Sequence, residues 1–155
     1  MYERILVALD GSELAERSLP PAEALAERFE AELILVRAIV LSALRAAGAV
    51  IIAPAGPGPI VDPTPHLEEE RLEALAYLDN VADQLRGRGR VVSTETRSGG
   101  AGQVIVDLAN ELDVGLVVMT THGRSGLERA ILGSVTDEVL RHAPCPVIVV
   151  PARSE

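Results

Sequence analysis

Short apolar runs alternate with amphipathic stretches along this chain, and that alternation constrains its fold more than any other feature. Ile5–Leu9, Leu33–Val36, Val114–Met119 and Pro146–Val150 carry no charge and are rich in Val, Ile and Leu. Runs of this kind are apolar on both faces, as strands of a helix-covered parallel sheet must be. Val91–Arg97 alternates instead and reads as an edge strand. Between the strands, Ser12 opens a helical pattern in which Leu14, Ala15, Leu19, Ala22, Leu25, Ala26 and Phe29 share one face. Pro20 and Pro21 predict a kink or break in it. Thr64 as N-cap and Pro65 at the first helical position begin a long helix to about Leu85, stopped by Gly87 and Gly89. Gln103–Glu111 turns Val104, Ile105, Leu108 and Ala109 inward, and Ser134–Ala143 forms the last helix. Strand and helix in strict succession predict an α/β fold with helices on both faces of a parallel sheet.

In such sheets ligands bind beyond the C-terminal ends of the strands. Gly115–Ser134 has the corresponding pattern: a buried strand, a polar loop bearing Gly123 and Gly126, then Gly133 and Ser134 at a helix start. The unpaired N–H groups and the dipole of a helix N-terminus favour anions there.

The spacing within this stretch carries a resemblance. Gly123, nine residues, then Gly133-Ser134 resembles the ATP-binding signature of the universal stress protein family. That signature also has a glycine three residues before the first of these, where this chain has Thr120. Ile5–Ser12 is similar to the family's first strand and aspartate, and Arg141–Val150 to its closing helix and Pro-Val strand. The resemblance implies a Rossmann-like, single-domain open sheet of five parallel strands in the order 3-2-1-4-5, spanning residues 1–155. It also implies a site for ATP and Mg²⁺ formed by Ala8, Asp10, Ala38, Met119, Thr120, Gly123, Arg124, Gly133, Ser134 and Val135, with Asp10 reaching the hydrated metal ion. The implied function is stress-response regulation through nucleotide occupancy, with at most slow hydrolysis.

Composition narrows the function classes independently. All 14 cations are arginine, which excludes a P-loop lysine and a Schiff-base lysine. A net charge of −9 argues against a nucleic-acid surface, and 2% aromatic residues leave little for base stacking. Neither excludes a nucleotide, since a phosphate site built from backbone N–H groups is local. One cysteine, Cys145, leaves no internal disulfide and no cysteine metal cluster, and between two prolines it reads as an inert thiol. A reducing cytoplasmic setting fits, with no leader pattern ahead of the first strand. Residues 46–61 are uncharged, but they fall short of the roughly 20 residues a membrane span needs, and Pro54, Pro57 and Pro59 interrupt them.

Several residues carry two readings. Asp10 is a turn former at a strand end or a member of the nucleotide pocket. Ser134 is a helix N-cap whose hydroxyl can also donate to a phosphate. Thr120 either fills the pocket or lends it a hydroxyl. His122 is a loop histidine bonded to backbone or a general base without an evident orienting partner. Arg124 and Arg129 are solvated charges or phosphate partners. His66 and His142 have no metal-ligand spacing. Residues 39–62, rich in Pro and Gly towards their end, form either a plain insertion or a ligand-sensitive lid. Pro146–Val150, apolar and last, predicts an edge strand that pairs a homodimer. Two rival functions remain: an adenylyl-transfer or hydrolase enzyme on the same fold, and a nucleotide-free interaction dimer.

Overall fold

The computed structural model describes residues 2–40, 64–121 and 133–151, with side chains of the long central helix described from residue 67 onward. The elements are β1 (Arg4–Ala8), α1 (Glu13–Glu16), α2 (Leu19–Phe29), β2 (Glu32–Ile39), α3 (Thr64–Gly87), β3 (Val92–Ser98), α4 (Ala101–Glu111), β4 (Leu116–Thr121), α5 (Ser134–His142) and β5 (Val147–Pro151). The strands form one sheet in the order β3-β2-β1-β4-β5, parallel at every pairing. The order implied by the resemblance is therefore the order found.

Each strand divides its side chains between two cores. Ile5, Val7, Leu33, Leu35, Leu116 and Val118 point to the layer made by α1, α2 and α3, with Ala15, Ala22, Leu78 and Leu85. Leu6, Ile34, Val36, Val117 and Met119 point to the layer made by α4 and α5, with Val104, Leu108 and Val139. Both faces being dry explains why these strands read as unbroken apolar runs.

The prolines act as expected, with the break falling just ahead of them. Ser12 caps α1 by accepting from the Ala15 N–H at 3.2 Å. The chain then leaves helical bonding at Arg17–Ser18, and Pro20 and Pro21 occupy the first turn of α2, where a missing N–H costs nothing. Thr64, predicted as an N-cap, is itself the first helical residue of α3. Strand β2 runs on to Ile39, beyond the predicted Val36, because Arg37, Ala38 and Ile39 still pair with β3. The predicted lid at 39–62 lies outside the described residues from 41 onward.

Helices α4 and α5 approach closely at Gly102. A Cβ on Gly102 would stand 2.2 Å from Glu138 Oε2 and 2.9 Å from Glu138 Cβ. The side-chain-free position lets Glu138 of α5 lie against the first turn of α4. This seats α5, and with it the Gly133–Ser134 turn, on the sheet.

Candidate functional site

The strand order reverses between β1 and β4, and sheets of this class have their ligand crevice beyond the strand C-terminal ends at such a reversal. Four predicted site residues meet at that end on one face. Ala8, Ala38 and Val135 are half-buried and pack on the same cluster as the buried Met119. Two alanines at the ends of β1 and β2 leave a shallow apolar shelf bordered by Met119 and the first turn of α5.

Asp10 lies just past β1 and is exposed. Its Oδ1 accepts from the Ser12 N–H at 2.9 Å and from the Ser12 hydroxyl at 2.6 Å. This turn is the local reason for an Asp-Gly-Ser sequence at the strand end. Gly11, with φ +85°, supplies its left-handed corner.

Two expectations change at the far side of the crevice. The N-cap of α5 is Gly133, not Ser134, which is the first residue of the helix. The cap residue must be extended, and Gly133 is, at φ −62° and ψ 156°. Its φ is thus open to any residue, and a Cβ there would meet nothing within 4 Å among the described residues. Thr120, expected at the mouth of the loop, lies inside β4, paired with Val150 and 4% exposed. By the alternation of the strand its side chain shares the face of Leu116 and Val118, opposite to Met119 and the alanine shelf. Gly123 and Arg124, with His122, Gly126 and Arg129, lie outside the described residues.

The arrangement fits a nucleotide with its metal ion. An exposed carboxylate stands at the end of β1, and a helix N-terminus opens with a glycine that neither backbone conformation nor packing among the described residues requires. Among the described residues no group of three or more His, Cys, Asp or Glu could hold a metal by itself. A magnesium ion here would be held by Asp10 together with ligand phosphates and water.

Sequence reasoning passed over Arg37 and Tyr77. The Arg37 guanidinium stands 5.4 Å from the centre of the Tyr77 ring, and Tyr77 donates to Glu16 Oε1 at 3.0 Å. Burial, then the bond to the Glu16 carboxylate, raise the Tyr77 phenol well above its ordinary 10.0. The available signal was a charge within an apolar run of a strand and a lone aromatic in a long helix. Burial likewise raises the Cys145 thiol, in keeping with an inert residue.

A doubly covered parallel sheet with this crevice at its reversal point defines the Rossmann-like α/β class. The universal stress protein family model matches residues 1–151, and the chain belongs to that family. It is 34% identical over 155 residues to universal stress protein Sll1388 of Synechocystis, covering 96% of this chain and 97% of that one. With universal stress protein MJ0531 of Methanocaldococcus jannaschii it shares 31% identity, over 97% of this chain and 82% of the relative. Among solved structures, protein MJ0577 superposes with a TM-score of 0.79 at 26% identity, over 100% of this chain and 99% of that one. A universal stress protein solved in complex with cAMP has the same fold, at TM-score 0.66 and 22% identity over 98% of both chains. No helix among the described residues is long and apolar enough to cross a membrane.

Proposed function

We propose that this chain is an ATP-binding regulator of a stress response, one nucleotide-binding domain over residues 1–155, working in the cytoplasm through nucleotide occupancy rather than turnover. The adenine ring rests on the shelf of Ala8, Ala38 and Met119. The phosphates meet backbone N–H groups of Gly123, Gly133, Ser134 and Val135, with Arg124 beside them, and Asp10 reaches the hydrated Mg²⁺. Gly133 carries this reading. Among the described residues neither backbone conformation nor packing calls for a glycine there, and a side chain at that position would stand where an anion meets the helix N-terminus. The reading gives the chain a binding role, with at most slow hydrolysis.

The resembled pattern has a glycine where this chain has Thr120. Because that side chain is buried away from the shelf, it does not obstruct the base. Titration calorimetry with MgATP on the wild type and Thr120→Gly tests this: both should bind with similar affinity. Clearly tighter binding by Thr120→Gly would show that the threonine crowds the ligand. A parallel titration with cAMP, the ligand of the neighbour of known structure, reads whether the site needs a polyphosphate.

The chain is further proposed to form a homodimer through β5. The two sheet edges differ: β3 carries Glu95 and Arg97, the latter paired with Glu111 at 2.7 Å, whereas β5 is Val-Ile-Val-Val-Pro. Charge protects an edge, and an apolar edge without it invites pairing. Acidic charge and the scarcity of aromatics leave the adenine nucleotide, and neither nucleic acid nor membrane, as the expected partner besides the second copy.

A further inference from the structure

Arg37 interrupts an otherwise apolar stretch of β2, and its side chain leaves the sheet on the face of Leu33 and Leu35. There, among the described residues, the guanidinium meets Tyr77, Glu73 and Gly11. Its carbon stands 5.4 Å from the Tyr77 ring centre. Its Nη2 is 3.6 Å from Glu73 Oε1. It also covers Gly11 so closely that a Cβ there would stand 3.0 Å from Nη1 and 3.1 Å from Cζ. Tyr77 and Glu73 belong to α3, and Tyr77 in turn holds Glu16 of α1. One planar cation, 22% exposed, thus joins the Asp10–Ser12 turn to α3.

An ion pair with Glu73 does not explain this placement. Glu73 is 75% exposed at 3.6 Å, and exposed pairs of that kind contribute little. The close contact is with Gly11, the corner between Asp10 and Ser12. A guanidinium is flat, permanently charged and weakly hydrated, so it can lie against a peptide on one side and an aromatic face on the other. A lysine ammonium has neither the plane nor the reach for both.

We infer that Arg37 is a positioning residue for Asp10: held over the Tyr77 ring, its guanidinium covers Gly11 and fixes the turn that presents the Asp10 carboxylate to the metal-bound phosphates. The inference rests on the nucleotide reading of the site and adds the element that preorganises its acidic side. A carboxylate held in place before the ligand arrives spares the ordering entropy that a free turn would lose on binding.

Arg37→Met keeps an apolar stem of similar length, and Arg37→Lys keeps the charge. Two quantities are measured on each. One is hydrogen exchange of the Ser12 amide, which bonds Asp10, in nucleotide-free protein. The other is ATP affinity in Mg²⁺ and again in EDTA. In both variants Ser12 exchanges faster, and MgATP binding weakens about tenfold, within the range typical of coupled sites. ATP affinity in EDTA stays near the wild-type value, since only the metal-dependent part passes through Asp10. A merely structural arginine would lower both affinities together with the melting temperature, and that result overturns the inference. Unchanged Ser12 exchange, or full retention of MgATP affinity in Arg37→Met, overturns it as well. Wild-type protein that binds neither form of ATP would defeat the nucleotide reading first, and this inference with it.

Discussion

At the scale of single residues, the site combines positions visible in the sequence with positions that only packing reveals. The Asp-Gly-Ser corner was legible because its chemistry is local: Asp10 bonds Ser12, two residues on. Ala8, Ala38 and Met119 were legible only through the resemblance, since small apolar residues suit any sheet. The helix cap was misplaced by one residue because serine is the better capping side chain, while the chain uses glycine. Tyr77 was silent in sequence, as its role depends on Glu16, 61 positions away. It yields a prediction in pH. Its phenol is raised above 10.0 by burial and by Glu16, so the folded state keeps a proton that the unfolded chain loses. That stability is fully present below the ordinary phenol range and is lost as pH rises beyond it. Thermal melts from pH 8 upward should show a steeper alkaline decline for the wild type than for Tyr77→Phe. Parallel declines would mean that Tyr77 ionises as freely in the fold as outside it.

At the scale of elements, periodicity placed the strands and helices well because both faces of the sheet are dry and each helix has one apolar stripe. Boundaries shifted where tertiary pairing outran propensity, as in Arg37–Ile39 of β2 and Thr120–Thr121 of β4. The contact between α4 and α5 had no sequence signal, because its key is a missing side chain: Gly102 is a helical residue under Glu138. In an exposed helix, Gly→Ala would stabilise by roughly 0.5–1 kcal/mol. Here the added methyl meets Glu138 Cβ at 2.9 Å, which rotation of the carboxylate cannot relieve. Gly102→Ala should therefore destabilise by about 1–3 kcal/mol, the usual cost of overpacking. Urea denaturation measures it, and a stability equal to or above wild type would refute the packing account. Since α5 carries Gly133 and Ser134, the same substitution should also weaken MgATP binding.

At the scale of the molecule, the asymmetry of the two sheet edges and the crevice at the strand reversal organise the account. The Val117 N–H donates to the Pro146 carbonyl at 3.0 Å, so alternate β5 residues bond β4 and Val147 and Val149 turn their backbone groups outward. Val149→Pro would remove an outward donor without touching the β4 ladder, and proline is tolerated at such an edge. Light scattering should find a wild-type dimer and a Val149→Pro monomer with the fold intact; a wild-type monomer at micromolar concentration would end the dimer proposal. The central claim is the nucleotide site, and Gly133 tests it most directly. Gly133→Thr keeps a good helix cap and adds a side chain that meets nothing within 4 Å among the described residues. Calorimetric titration with MgATP should show binding by the wild type and a loss of at least about tenfold, roughly 1.4 kcal/mol, in Gly133→Thr at unchanged melting temperature. Equal binding by both, or no binding by a folded wild-type protein, would contradict it.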